Sequence, residues 1–175
     1  LSAPLANVPD VAARGQGGLL DVALHPKFAD NRLVYISFSE PRGLGSNGTS
    51  LARAKLSDDG SALENVEIIF QQQPAIRSTA HFGGRIAFAP DGNLFLTLGD
   101  RYSQRDSAQD LSTHIGKTVR LADDGLSLAG APEHVYDPWR YPDTWDVEGF
   151  SPEGPKIHRH GGWFYMLTAV GGTAG

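Results

Sequence analysis

Apolar and polar residues alternate along most of this chain, and the alternation predicts short strands. It is clearest in residues 81–101, HFGGRIAFAPDGNLFLTLGDR, where one face is apolar at a period of two: Ile86, Phe88, Leu94, Leu96 and Leu98. The Pro-Asp-Gly-Asn sequence at 90–93 interrupts the pattern and suits a tight hairpin turn. Because a hairpin returns the chain to its starting edge, His81 and Asp100 are predicted to lie close together.

The same period of two extends over the rest of the chain, whereas helical periodicity is nearly absent. Only the segment 107–114 is predicted to form a short helical turn. Strands are predicted at 19–24, 33–39, 50–56, 65–70, 84–89, 94–98 and 117–121, with a further hairpin at 153–169.

Two markers recur along the chain at nearly the same interval. Gly17-Gly18 and Gly83-Gly84 each open a strand–turn–strand pattern and lie 66 residues apart, while Leu56-Ser-Asp-Asp-Gly60 and Leu121-Ala-Asp-Asp-Gly125 lie 65 apart. A repeat of four antiparallel strands is typical of a β-propeller blade. The sequence therefore predicts an all-β fold of propeller blades; a β-sandwich with coincidental hairpins is the alternative.

The composition narrows the class of protein. The chain has 175 residues, 40% of them apolar, and a formal net charge of −5, without a basic stripe or an apolar run long enough for a membrane span. Nucleic-acid and membrane partners are therefore not expected. The chain has no cysteine, which excludes disulfides and thiolate metal sites. The first ten residues do not have the pattern of a signal peptide.

The predicted elements divide the chain into three parts. Residues 1–125 form the repeated blades, 126–152 form a connecting loop rich in Pro, Trp and Asp, and 153–175 form a separate hairpin. About two and a half blades cannot close a propeller ring, which usually has four to eight. An incomplete ring is therefore predicted, and its open blade edges predict self-association.

The hairpin of residues 81–101 carries the strongest candidate chemistry. Histidine titrates near neutral pH, so His81 is a candidate general base, and Asp100 is a candidate partner that orients the imidazole. The alternative interpretation is a surface histidine and an aspartate that caps a turn. Gln16 stands at the corresponding place of the first repeat, where it can bind a ligand carbonyl or satisfy backbone groups.

The motifs GQGGLLDVALHP, LSDDG, HFGGRIAFAPDGNLFLTLGDR and AQDLSTHIGKTVRLADDG, in this order, resemble the soluble quinoprotein aldose sugar dehydrogenases of the glucose/sorbosone dehydrogenase family. The resemblance spans about residues 15–125. It implies a six-bladed propeller that binds pyrroloquinoline quinone with calcium and oxidises the C1 hydroxyl of aldoses to lactones. In this interpretation His81 removes the hydroxyl proton and Asp100 supports it, while Gln16 and His81 contact the quinone. The resemblance also implies a periplasmic or secreted location.

Two other interpretations concern the end of the chain and its completeness. The segment SPEGPKIHRHGGWFYMLTA is similar to a blade of the family 43 glycoside hydrolases, and this resemblance implies that Glu153 is a general acid. The residues expected to hold the quinone carboxylates and calcium belong to further blades in the dehydrogenases. The dehydrogenase interpretation therefore expects a partial enzyme that is inactive alone and active only when the missing blades come from elsewhere. A non-catalytic propeller fragment is the remaining alternative.

Overall fold

The first sheet contains four antiparallel strands in sequential order. The computed structural model describes residues 3–122 and the backbone of 152–160 and 163–170. The strands of the first sheet are β1 (Leu19–Leu24), β2 (Leu33–Pro41), β3 (Asn47–Leu56) and β4 (Leu63–Gln71). Strand β2 pairs along its whole length with β3, from Leu33 opposite Lys55 to Pro41 opposite Asn47. This meander is the four-stranded blade that the repeat predicted.

The second sheet repeats the same order with three strands, β5 (Gly83–Phe88), β6 (Leu94–Leu98) and β7 (Thr118–Leu121). The predicted turn closes the β5–β6 hairpin, since the Ala89 amide donates to Asn93 O at 2.7 Å and Gly92 has a φ of 91°. Strands β3 and β7 end at the two leucines of the second repeat marker. The 65-residue interval therefore corresponds to equivalent positions in the two blades.

A third pair of strands, β8 (Pro152–His160) and β9 (Trp163–Val170), forms the predicted antiparallel hairpin near the end of the chain. The predicted connecting loop 126–152 lies outside the described residues except for Pro152, which begins β8. The side chain of Glu153 also lies outside the description, so its predicted role as a general acid stays a prediction.

The main core lies between the first two sheets, as expected when blades stack face to face. It includes all the predicted apolar positions of the second hairpin except Phe88, which is partly buried and packs against the core. The buried core side chains are Tyr35, Leu51, Ile69, Phe70, Ile86, Leu94, Leu96, Leu98, Val119 and Leu121. A smaller cluster covers the opposite face of the first sheet around Val34 and Leu63. The first blade is therefore packed on both faces.

Helical structure is confined to two short segments among the described residues. One turn of α-helix, α1 (Phe28–Asn31), separates β1 from β2, and a 3-10 helix spans Arg105–Gln109. The latter begins two residues before the predicted helical turn at 107–114. No helix within the described part of the chain is long and apolar enough to cross a membrane.

Candidate active site

The two ends of the β5–β6 hairpin bring His81 and Asp100 together at one edge of the second sheet. His81 Nδ1 lies 2.8 Å from Asp100 Oδ1, which confirms the proximity predicted from the sequence. An ionised carboxylate only accepts hydrogen bonds, so Nδ1 carries the proton in the neutral ring. Nε2 is then the basic nitrogen, and it has no hydrogen bond to any residue in the described part of the chain.

Asp100 serves the turn as well as the histidine. Its Oδ1 also accepts a hydrogen bond from the backbone amide of Tyr102 at 2.8 Å. Asp100 Oδ1 therefore lies within hydrogen-bond distance of both groups considered from the sequence, the imidazole and the backbone of the turn. The side chains of His81 and Asp100 are about a third and a quarter exposed, at 31% and 27%, so a small molecule can reach this pair.

The backbone around the pair is strained. His81, Arg101 and Tyr102 all have left-handed conformations, with φ values of 50°, 56° and 68°. Each such residue costs on the order of 1–3 kcal/mol unless its surroundings hold it in place. Unfavourable conformations of this kind concentrate at functional sites, so three of them around one histidine and aspartate pair support a functional role for this edge.

Gln16 contributes to the same site from the first blade. Its side-chain Oε1 accepts a hydrogen bond from the His81 backbone amide at 2.8 Å. The backbone amide of Gln16 donates to the carbonyl of Thr79 at 2.8 Å. The side-chain Nε2 has no hydrogen bond within the described residues and remains available to a ligand. The sequence placed Gln16 at an equivalent position of the other repeat, and the structure places it beside His81.

Arg101 is buried beneath the site, with no exposed surface. Its guanidinium donates to Ala80 O at 3.2 Å, Asn47 O at 3.2 Å, Asn47 Oδ1 at 2.5 Å and Ser78 O at 2.8 Å. The same group stacks 3.9 Å from the centre of the Phe82 ring. These contacts tie the segment that leads into His81 to the first blade.

The charge of Arg101 is maintained although it has no carboxylate partner among the described residues. Burial lowers the pKa of its guanidinium to about 10. Because this pKa lies well above neutral, the side chain is charged at pH 7 and all its bonds are charge-assisted. A cation that binds only carbonyl oxygens and an aromatic face gives a rigid support for the loop before His81.

Two buried hydroxyls fix the glycine-rich segment after His81. Thr49 Oγ1 donates to Phe82 O at 2.8 Å, and Ser37 Oγ donates to Gly84 O at 2.5 Å. Gly84 has a φ of 104°, and a Cβ there would meet the Leu20 side chain at 2.7 Å. The FGG sequence therefore allows this backbone to lie directly against the first blade.

Four residues of the site were not predicted from the sequence: Arg101, Asn47, Thr49 and Ser37. The position of Arg101 was a visible signal, because it directly follows Gly99 and Asp100 at a strand end, where a charged residue needs partners. The hydroxyls of β2 and β3 gave a weaker signal. Polar residues at inward positions of a strand indicate hydrogen bonds to a neighbouring segment, but the sequence does not say which segment.

Gly99 gives a steric test of how tightly His81 is held. A Cβ at this position would lie 2.0 Å from His81 O, so Gly99→Ala forces the His81 backbone to move. We expect a loss of about 1–3 kcal/mol in the free energy of unfolding, measured by urea denaturation, as for other overpacked positions. The matched control is Gly18→Ala, where no atom lies within 4 Å of the added Cβ. Equal stability of the two variants would contradict the close approach.

An open cleft of about 430 Å³ lies beside the His81–Asp100 pair. Its wall includes Ala80, which precedes His81, and Tyr102, whose ring packs edge-on against the imidazole with 5.5 Å between centroids. No group of three or more His, Cys, Asp or Glu side chains that could hold a metal occurs in the described part of the chain. The site therefore combines an oriented imidazole, an amide and an adjoining cleft large enough for a small molecule.

Comparison with known proteins identifies relatives of this arrangement. The sequence profile of the family described as Glucose / Sorbosone dehydrogenase matches residues 1–161. The aldose sugar dehydrogenase YliI of Escherichia coli is 49% identical over 125 residues, which are 71% of this chain and 33% of that protein. The chain thus spans about a third of the length of this relative.

Solved structures give the same picture. The soluble aldose sugar dehydrogenase of Escherichia coli, in its apo form, superimposes with a TM-score of 0.74 at 38% identity, over 94% of this chain and 47% of that one. The aldose sugar dehydrogenase of Streptomyces coelicolor in its form bound to pyrroloquinoline quinone (PQQ) gives 0.59 at 31% identity, over 67% and 34%. The predicted fold class is confirmed as a partial β-propeller.

Proposed function

Because this chain belongs to the glucose/sorbosone dehydrogenase family, we propose that it is part of a PQQ-dependent aldose sugar dehydrogenase that oxidises the C1 hydroxyl of an aldose to a lactone. The observation that carries the proposal is the His81–Asp100 pair, with Nδ1 bound to the carboxylate and Nε2 left basic. Its position beside an accessible cleft suits the removal of a hydroxyl proton from a small substrate.

His81 acts as the general base in this proposal. Its Nε2 takes the proton of the C1 hydroxyl, and the resulting imidazolium is stabilised by the carboxylate of Asp100, which already accepts the Nδ1 proton. The Gln16 side chain fixes the His81 backbone through its amide hydrogen bond. Because Asp100 holds the ring and Gln16 holds the backbone of His81 before substrate binds, little reorganisation accompanies proton transfer.

The described residues fit a quinone cofactor in their chemistry. Gln16 Nε2 and His81 Nε2 are polar atoms without partners in the described region, and the Gln16 Oε1 bond to the His81 amide places the two residues side by side. Gln16 and His81 would hold the cofactor through these atoms. PQQ, when bound, supplies the acceptor for the hydride that leaves C1.

Calcium and the cellular location enter the proposal on the resemblance alone. No group of three or more His, Cys, Asp or Glu side chains that could hold a metal occurs among the described residues. A periplasmic or secreted location likewise enters on the resemblance. The division at residue 125, the role of Glu153 as a glycosidase general acid and self-association through blade edges stay predictions.

Titration with PQQ tests the proposal directly. We expect micromolar binding by calorimetry, tighter in the presence of calcium, and reduction of an electron-accepting dye when an aldose is added to the loaded protein. The same titration with a Gln16→Ala variant is expected to give weaker binding. Absence of both quinone binding and aldose-dependent dye reduction would contradict the proposed function for this chain.

A further inference from the structure

Two guanidinium groups line the cleft beside His81 without a partner. Arg14 and Arg77 are exposed, and neither makes a hydrogen bond or an ion pair through its side chain with any residue in the described part of the chain. The cleft lining contains no aspartate or glutamate. In a chain whose formal net charge is −5, this is a locally cationic surface.

The backbone that carries Arg14 is fixed against the opposite wall of the cleft. The next residue, Gly15, is so close to Thr79 that a Cβ would meet its carbonyl oxygen at 2.6 Å. The Gln16 amide donates to the same carbonyl at 2.8 Å. Arg14 therefore stands on a turn that packs against Thr79, another residue of the cleft lining.

The backbone next to Arg77 is held equally well. Ile76 and Asn47 exchange two backbone hydrogen bonds, at 2.9 and 3.0 Å. Ser78, on the other side of Arg77, gives its carbonyl to the buried guanidinium of Arg101 at 2.8 Å. The two exposed arginines thus stand on positioned backbone at one cleft, an arrangement that lowers the entropic cost of binding an anion.

The cleft borders the candidate catalytic pair, although neither His81 nor Asp100 belongs to its lining. Ala80 and Tyr102 belong to its wall and adjoin His81 in sequence and in space. A sugar that presents its C1 hydroxyl to His81 Nε2 therefore extends its remaining atoms along the cleft. Ser78 and Ser103, which also line it, offer hydroxyl groups for additional hydrogen bonds.

We propose that the cleft of Arg14 and Arg77 binds an anionic group on the sugar, so that the preferred substrates are aldoses carrying a carboxylate or a phosphate. Guanidinium groups bind both oxyanions through paired, charge-assisted hydrogen bonds. The inference rests on the proposed function for its reaction. The binding of the anionic group depends only on the two arginines.

Binding of three sugars tests the proposal without the cofactor. The probes are D-glucose, D-glucuronate and D-glucose 6-phosphate, titrated into the protein and followed by amide chemical shifts of Ser78, Thr79 and Tyr102. We expect at least one anionic sugar to bind about tenfold more tightly than glucose, or about 1.4 kcal/mol. Which of the two binds identifies the source of the anion. The preference should fall as salt rises, because both arginines are exposed.

Variants separate the two arginines from general charge effects. Arg14→Gln and Arg77→Gln should each reduce the preference for the anionic sugar, and the double variant should abolish it. The control is Arg105→Gln, which removes an equal charge from a side chain that is 75% exposed and absent from the cleft lining. Equal binding of all three sugars, or a preference that survives the double variant, would overturn the proposal.

The outcomes for the anion site and for the reaction are distinguishable. Oxidation of glucose, glucuronate and glucose 6-phosphate with equal efficiency by the quinone-loaded protein would leave the dehydrogenase proposal intact and remove the anion site. Arginine-dependent binding of glucuronate by a protein that oxidises no aldose would leave the anion site intact and remove the dehydrogenase proposal. Arginine variants that lose affinity for PQQ but retain the preference for anionic sugars would also refute this assignment, because the two side chains would then bind the cofactor.

Discussion

Replacing His81 with asparagine is expected to lower aldose oxidation by the quinone-loaded protein on the order of 10²–10⁴-fold, the range for loss of a general base. Asparagine tolerates the left-handed backbone that His81 adopts, with a φ of 50°, so the fold should be retained. Its side-chain amide can still donate to Asp100. What it lacks is a nitrogen able to accept the substrate's proton.

The measurement is steady-state turnover with a dye acceptor, beside urea denaturation as a check of folding. Asp100→Asn is the graded comparison. Its amide oxygen still accepts from His81 Nδ1 and from the Tyr102 amide, but the charge that stabilises an imidazolium is lost. An intermediate loss of turnover is therefore expected. Undiminished turnover in His81→Asn, with folding unchanged, would remove His81 from the mechanism.

The protonation of the imidazole gives an independent check. The Asp100 carboxylate accepts at Nδ1, so nitrogen NMR of wild-type protein should show a proton on Nδ1 and none on Nε2 in the neutral ring. The opposite tautomer would be incompatible with Nε2 as the base. This observation requires neither cofactor nor sugar.

The strands and the central pair could be predicted from the sequence because both depend on local pattern. A period of two fixes which residues of β5 and β6 face the core, and the turn at Ala89–Asn93 fixes their register as far as Ile86. An irregularity between Gly83 and Ile86 then shifts the pairing by one residue, so that Gly83 lies opposite Leu98. Once the register is set, His81 and Asp100 must lie at the same edge. Their contact is therefore a consequence of a hairpin that short-range signals define.

The rest of the site depends on contacts between blades, which no local signal encodes. Arg101 reaches Asn47, which is 54 residues away in sequence, and Thr49 reaches Phe82 across 33 residues. Whether such polar groups are buried or solvated is decided only when the blades stack. For the same reason, the sequence did not predict that Arg14 and Arg77, which lie on separate loops, line one cleft.

Replacing Arg101 with methionine should have the largest effect on stability. The guanidinium is fully buried and supplies donors to four oxygen atoms: Asn47 O, Asn47 Oδ1, Ser78 O and Ala80 O. Asn47 O keeps its hydrogen bond from the Ile76 amide, whereas methionine leaves the other three acceptors without that donor. Each unsatisfied buried group costs about 1–3 kcal/mol. The substitution also removes the desolvation cost of a buried cation that has no carboxylate partner among the described residues, which offsets part of this loss.

We therefore expect Arg101→Met to lower the free energy of unfolding by about 3 kcal/mol, within the range of severe single substitutions. The control is Arg85→Met, on a side chain that is 65% exposed, and it should change stability by no more than about 0.5 kcal/mol. Arg101→Lys should fall between them, because one ammonium cannot reach all four oxygens and does not stack on Phe82 as a planar guanidinium does.

The second effect of Arg101→Met is expected at His81. Ser78 and Ala80 lose the group that holds them to the first blade, so the strained segment of His81, Arg101 and Tyr102 can relax toward ordinary backbone conformations. The imidazole then leaves Asp100, and the tautomer signal on Nδ1 should weaken in native conditions. Arg101→Lys should retain part of that signal, since an ammonium still bonds one or two carbonyls. A variant as stable as wild type, with an unchanged His81 tautomer, would show that hydroxyls such as Thr49 hold this loop without the arginine.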